Sequence, residues 1–308
     1  MARMAPHPIT LRQLQYVLAV AEHRGFRKAA EACAVAQPSL SAQVAQLESA
    51  LGVTLFERLP RGVVVTEAGA AVLVRARRTV GEADDLVDAA GRARDPLAGT
   101  LRIGVLPTIA PYLLPEVAPV LRALSPRLRI LWFEEKTQLV LERLAGGDLD
   151  AAIVAQESNL GDLAHEALGR DDFVLATPPG HRLARRRGAA QLSELEGETI
   201  LLLDDGHCFR EQALAVCSRV GATEASVRAT SLATLAQMVA GGEGITLLPA
   251  VAVRSENRAG GLAIRVFGQR GPSRTLALAW RRTSPVGKAM RVLADSMRAV
   301  MARLRAAR

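Results

Sequence analysis

Two cysteines lie nine residues apart in DDGHCFREQALAVC, and they are the residues best suited to covalent chemistry. Cys208 follows His207 and precedes Arg210 by two positions. Gly206 punctuates the start of a helix expected to hold Phe209 to Val216, which puts Cys208 near a helix N-terminus and its partial positive charge. The helix end, His207 and Arg210 each favour the thiolate, the reactive form toward oxidants and electrophiles. Bland readings stand beside this one. Cys217, on an apolar helix face with Ala213 and Leu214, taken alone reads as a small buried hydrophobe. His207 with Cys208 makes a poor metal pair, since the segment has no CxxC and no second histidine. A cysteine hydrolase needs a base elsewhere, and nothing marks one. The third cysteine, Cys33, reads as packing inside a helix near the N-terminus. Three cysteines make no structural disulfide framework, so any chemistry they do should be redox, metal-binding or catalytic; with no metal-ligand spacing in the sequence, no metal and no cofactor is expected.

The elements that must position these residues fall into two textures. From Leu11 to Leu51 the chain reads as three short helices, the first apolar at Leu11, Leu14, Leu18 and Ala21. The second is FRKAAEAC, and the third opens at Pro38, a residue suited to a first helical turn. The third helix turns Leu40, Val44, Leu47 and Leu51 inward. Gln37, Ser39, Ser41, Gln43 and Gln46 then make a polar, uncharged outer face. Such a face suits a recognition helix in a DNA major groove, where Gln reads adenine edges and Ser touches bases or phosphates. An ordinary helical bundle shares the periodicity. The following TLFERLPRGVVVTEAG predicts a hairpin turning at Pro60–Gly62, a basic wing carrying Arg58 and Arg61 toward phosphates. Thr66 then caps a long helix in which Leu73, Val80 and Val87 recur every seven residues, with Ala76, Ala83 and Ala90 between them. That heptad seam predicts a dimerising helix, hence two reading heads for a two-fold DNA site.

After Pro96–Gly99 short strands and helices alternate. LRIGVL, LRILWF and AAIVA are expected strands, with helices near Leu113–Leu124 and Gln138–Ala145, a parallel βαβαβ unit. A second unit runs through FVLAT, ILLL, the cysteine helix, VRAT, a helix after Ser231 and ITLLP. TLALAW and a basic C-terminal helix return to the first. The class is α/β: a winged helix-turn-helix (residues 1–67), a linker helix (68–95) and a two-lobed regulatory domain (96–308). Lobe I takes about 96–170 and 276–308, and lobe II about 171–275, with a ligand-sized cleft between.

Composition narrows the setting. The 308 residues are 49% apolar but only 3% aromatic, enough for two domains with Ala/Val/Leu cores. No apolar run approaches the ~20 residues of a membrane span. MARMAPHP carries no apolar stretch of a secretory signal, so a soluble, cytoplasmic chain with no membrane partner is expected. The net charge of +8 is uneven: residues 281–308 carry 8 basic groups against 1 acidic. A basic balance invites nucleic acid, although an Arg-rich helix is as often only solvated surface.

RKAAEACAVAQPSLSAQVAQLESALGVTLFER with VTEAG resembles the winged helix-turn-helix of the LysR family of bacterial transcriptional regulators. LPTIAPYLLP, DDGHCFREQA, Cys217, RATSLATL and GITLLPAVAV are similar to its peroxide-sensing branch, so that nearly the whole chain is covered. The resemblance implies a homodimer through the linker helix, usually a homotetramer, binding promoter DNA and working with RNA polymerase. Arg27, Gln37, Pro38, Ser39, Ser41, Gln43, Arg58 and Arg61 would meet the DNA. It further implies activation of antioxidant genes when hydrogen peroxide oxidises the cysteine pair, with a thiol reductant of glutaredoxin or thioredoxin type resetting it. Cys208 would be peroxidatic and Cys217 resolving, through a sulfenic acid and then a disulfide.

On a continuous helix nine residues span ~900° and ~13.5 Å, so the two thiols would face opposite ways. A disulfide needs Cα atoms ~4.4–6.8 Å apart, so the bridge would require the helix to open. By the same resemblance Thr108 and Thr137 would hold peroxide against the thiolate, with Asp205 nearby and Thr230 and Ser231 in the cleft. A lone Thr more often caps a helix or turn. Two alternatives stay open: a small metabolite held by Thr108, Thr137 and Ser231 with the cysteines incidental, and a thiol peroxidase, for which the N-terminal third has no use.

Overall fold

The computed structural model describes residues 7–59, 62–92, 97, 99–268 and 271–306, and the chain divides into two compact units, residues up to Ala90 with Gly146–Asp148, and the rest from Gly91 onward. In the first, α1 (Leu11–His23), α2 (Phe26–Ala32) and α3 (Gln37–Leu51) precede a hairpin of β1 (Phe56–Leu59) and β2 (Gly62–Val65), then α4 (Glu67–Arg92). Thr10 and Gln13 close a reciprocal capping box that starts α1. Leu14, Val17 and Val20 of α1 meet Leu40, Val44 and Leu47 of α3 in one small core, which Leu55, Phe56, Leu73 and Ala76 complete. Two expected core positions are corrected: Leu11 and Leu51 are exposed, since the inward face of α1 is rotated toward Val17 and Val20 and α3 ends at Leu51. The third helix begins one residue before Pro38, and α2 stops at Ala32, leaving half-buried Cys33 as its C-cap. The Thr66 hydroxyl accepts the Gly69 N–H at 2.9 Å and starts α4.

The second unit contains β3 (Gly99–Val105), α5 (Ala110–Leu124), β4 (Leu128–Glu134), α6 (Thr137–Gly146) and β5 (Ala151–Ala155). Strand β3 pairs in parallel with both β4 and β5, as the alternating pattern requires. Then come β6 (Ala164–Thr177), β7 (Thr199–Leu203), α7 (Cys208–Ser218), β8 (Thr223–Ala229), α8 (Leu232–Ala240) and β9 (Thr246–Pro249). The chain closes with α9 (Ala250–Glu256), β10 (Ala263–Val266), β11 (Ser273–Trp280) and α10 (Gly287–Ala306). Strand β6 is longer than FVLAT: its first half pairs with β11 and its second with β9 and β10. The register of β6 on β11 shifts between Leu276 and Ala277, opposite Gly169. Helix α5 also starts earlier than expected, at Ala110, and keeps Pro115 and Pro119 within it.

Two apolar cores result. One gathers β3, β5, α5, β11 and the inward face of α10, including Met290, Leu293, Met297 and Met301. The other gathers β7, α8, β9 and the second half of β6. Basic residues of α10 are therefore the outward edge of an amphipathic core helix.

Candidate functional site

In the first unit the outer face of α3 is as polar as its sequence requires. Gln37, Pro38 and Ser39 are exposed, and Ser41 and Gln43 are half-buried on the same helix. Gln46 is held by a bond from the Gln13 amide at 3.2 Å. Arg27 is exposed, with a long pairing to Glu31 at 3.9 Å. Arg58 lies over the Phe26 ring at 4.4 Å, which orients an exposed cation on the wing. Arg61 lies outside the described residues.

In the second unit α7 begins at Cys208 itself. Gly206 adopts φ +87°, a backbone disfavoured for other residues, and a Cβ there would press on Lys136 at 3.0 Å. His207 follows as N-cap. The Cys208 N–H, one of the free donors of the first turn, donates to Thr137 Oγ1 at 3.3 Å, at the start of α6. The sulfur-bearing residue is buried and packs with the first core, the one containing β3 and α10. Cys217, in the last turn of the same unbroken helix, packs with the other core. Burial pushes its thiol up to about 11, so it stays protonated at neutral pH. Of its expected neighbours, Ala213 shares that core, whereas Leu214 is exposed.

Thr108 sits in the turn after β3 and is buried. Its hydroxyl and carbonyl accept from Arg274 Nη1 at 2.8 Å and Nη2 at 2.9 Å. Arg274 Nε donates to Asp171 at 3.0 Å, and both side chains of that pair are 0% exposed. The guanidinium also lies 5.6 Å from the Phe209 ring centroid, one residue past Cys208. Sequence reasoning missed Arg274. Placing the strand at TLALAW left it just outside, although alternation from Leu276 back to 274 gives it the inward register.

Two expected thiolate activators have well-defined surroundings of their own. His207 is held below its ordinary range, first by burial and then by the Lys136 charge, so at neutral pH it is an uncharged ring. Arg210 is committed elsewhere: to Glu224 through two bonds at 2.8 and 3.1 Å, to Asp205 at 2.9 Å and to the Leu203 carbonyl at 3.1 Å. Asp205 is exposed and bridges Arg210 to Arg228. Lys136 caps the turn, donating to the Asp205 carbonyl at 2.7 Å, and lies 3.6 Å from Asp204. Asp204 is held below the usual carboxylate range by the Asp205 N–H and by Lys136.

Thr230 and Ser231 line a cavity of about 470 Å³ together with Lys136, His207, Tyr112 and Glu256. Ser231 is also the N-cap of α8, accepting the Thr234 N–H at 3.1 Å. Tyr112 donates to Glu256 at 2.7 Å; burial and that carboxylate push its phenol far above its ordinary range. Among the described residues no cluster of His, Cys, Asp and Glu could hold a metal ion, and no helix is long and apolar enough to cross a membrane.

A helix-turn-helix with a hairpin wing, joined in one chain to a two-core α/β unit, defines a DNA-binding regulator with a separate sensory part. Residues 11–70 match the bacterial regulatory helix-turn-helix of the lysR family, and residues 94–302 match the LysR substrate binding domain. The chain belongs to the LysR family. It is 41% identical over 291 residues to the hydrogen peroxide-inducible genes activator of Dickeya chrysanthemi, covering 94% of this chain and 95% of that one. It is 40% identical over 294 residues to the DNA-binding transcriptional dual regulator OxyR of Escherichia coli (strain K12), covering 95% and 96%. Full-length OxyR from Pseudomonas aeruginosa, solved as a cysteine-to-aspartate variant, superposes with a TM-score of 0.80 at 35% identity, over 95% of this chain and 96% of that one. Crystal structures of the oxidised and reduced forms of OxyR each match 67% of this chain and 98% of theirs, at 39% and 38% identity and a TM-score of 0.61.

Proposed function

We propose that this chain is a peroxide-switched transcriptional regulator in which Cys208 is the sensor and Cys217 its resolving partner. The observation that carries the reading is the placement of the two thiols at opposite ends of one intact helix and in two different cores. Cys208 thiolate attacks hydrogen peroxide, forming a sulfenic acid and releasing hydroxide. The Cys217 thiol then displaces water from that sulfenic acid to give the disulfide. The thiolate would draw on the N-terminal end of α7, where Cys208 is the first residue. Thr137, already bonded to the Cys208 backbone, and Thr108, fixed by Arg274, are the hydroxyls that would orient the oxidant.

In this reading residues 1–67 bind promoter DNA in the cytoplasm through α3 and the wing, residues 68–95 join two chains, and residues 96–308 sense and signal to RNA polymerase. Arg61 is counted with the wing. Two dimers associate into a tetramer, and a glutaredoxin- or thioredoxin-type reductant returns the thiols. The cavity favours one other reading, a metabolite held by Ser231, Thr230 and Lys136.

One equivalent of hydrogen peroxide added to the reduced protein, followed by non-reducing peptide mass spectrometry, separates them. A Cys208–Cys217 peptide forming within minutes, absent in Cys208→Ser, is expected, together with a DNA footprint that differs between redox states. Thiols that stay free, with a footprint unmoved by peroxide, would leave the metabolite reading in possession. Steady consumption of peroxide with a thiol donor would instead mark an enzyme.

A further inference from the structure

Four charged side chains close a ring around the first turn of the cysteine helix. Arg210, on α7, forms a two-pronged pair with Glu224 on β8, its Nη1 at 2.8 Å and Nη2 at 3.1 Å from the carboxylate oxygens. Its Nε reaches Asp205 at 2.9 Å, in the turn before the helix. Arg228, also on β8, completes the circuit with Asp205 at 2.8 Å and Glu224 at 3.3 Å. The Arg210 side chain is 9% exposed and that of Glu224 27%, so the pair is sheltered on the arginine side and open on the carboxylate side, while Arg228 forms the outer arm. Paired, planar contacts of this kind are the strong ones among charged hydrogen bonds. The same guanidinium donates to the Leu203 carbonyl at the end of β7.

The ring matters because of where it sits in the chain. Arg210 lies between the two cysteines, two residues from Cys208. Across an unbroken helix those cysteines are separated by ~13.5 Å, and a disulfide brings the Cα atoms within ~6.8 Å. Cys208 must therefore travel ~7 Å toward Cys217 if the N-terminal end is the part that moves, and in the chain it lies between Asp205 and Arg210, whose bond at 2.9 Å clamps the turn to the first turn of the helix. Resting on the peroxide switch proposed above, we infer that the Arg210–Glu224–Arg228–Asp205 ring is a latch that holds the reduced helix and sets how readily the bridge forms. Glu224 and Arg228 are then positioning residues. They act on the disulfide step through Arg210 and leave the attack of Cys208 on peroxide alone.

A latch present only in the reduced form stabilises that form, so loosening it makes the disulfide harder to reduce. Glu224→Gln keeps the shape of the side chain and removes the charge. Full-length wild type and Glu224→Gln are equilibrated in a series of glutathione redox buffers, and the Cys208–Cys217 peptide is quantified. The expected result is a roughly tenfold shift of the thiol–disulfide equilibrium toward the bridge, a midpoint about 30 mV more negative. Glu224→Asp, which restores the charge, returns most of the shift. In stopped-flow with peroxide, formation of the sulfenic acid, trapped in a Cys217→Ser background, keeps its wild-type rate, while the disulfide step in the two-cysteine protein quickens. A side chain that served stability alone would lower thermal unfolding of both redox forms and leave the midpoint in place. If Glu224→Gln proves unstable, Arg228→Gln opens the ring from its exposed side and should shift the midpoint in the same direction by less. An unmoved midpoint and unmoved disulfide step in these variants overturn the latch while the switch itself stands. A wild-type protein that forms no bridge at all overturns the switch and the latch together.

Discussion

The two thiols of α7 sit in different surroundings at its two ends. Cys217 has only apolar company and is pushed up to about 11. Cys208 starts the helix, with a threonine hydroxyl on its amide and Lys136 by the preceding turn. His207, between that lysine and the cysteine, keeps its ring uncharged because burial and Lys136 both disfavour the cation. This has a consequence in acid. The unfolded chain takes up a proton at the ordinary histidine value of about 6.5, while the folded ring resists it to lower pH. Stability from this group is whole above pH 6.5 and declines as pH falls through and below that value. Urea midpoints of the reduced protein between pH 7.5 and 5 should therefore decline faster than in His207→Gln, the two curves running parallel only at the upper end. Curves parallel throughout would mean that His207 titrates alike in both states. Cys208 and its flanking residues stood out by type, whereas Thr108 and Thr137 were reached only through the family resemblance, since a lone threonine reads first as a cap. Arg274 was not legible, since one arginine in an arginine-rich chain carries no signal until a strand register turns it inward beside Asp171 and Thr108.

The helix carrying the thiols is the element on which a switch would turn. The middle of its 11 residues, REQALA, is made of good helix formers, yet a segment this short is marginal alone and depends on the cores at its two ends. A switch that unwinds it competes with its helical preference directly. Ala215 is exposed on that helix, so replacing it by Gly removes preference without opening a cavity. Gly in a helix interior costs about 1 kcal/mol. If the oxidised form no longer has the helix there, Ala215→Gly should favour the disulfide by roughly fivefold in a glutathione titration. A variant that lowers reduced-state stability with no shift in that titration would show that the Ala215 turn stays wound. The helix itself could be read from Gly206 and the apolar spacing after it. Strand β6 could be read only in its second half. Its first half, AHEALGRDD, mixes charges with Gly169, and Glu166 finds its partners only in the folded state, on Arg291 and Arg298 of α10.

Along the heptad seam of α4 the surroundings change from one end to the other. Its first layers, Leu73 and Ala76, are buried in the core of the helix-turn-helix unit itself. Val80 and Ala83 are half-buried, and beyond them Leu86 and Val87 stand 73% and 72% exposed. Two large aliphatic side chains side by side in water on a capped helix are unusual for a surface that has no partner. A second α4 packed against the later heptads would cover Val87, and the small alanines on the seam would let the two helices approach closely. Leu86 lies beside the seam and would join the contact at its edge. The reading head draws its core from residues before Val80, so a charge placed at Val87 should leave that head folded while breaking the seam. Val87→Glu is thus expected to sediment as a smaller species than wild type at micromolar concentration, with helix content nearly unchanged. Its affinity for a two-fold operator should fall toward that for a half-site, because two linked heads bind as one event and separate heads do not. If Val87→Glu keeps both its assembly and its operator affinity, the exposed end of α4 is not the joint, and the chains must be held together through the regulatory unit.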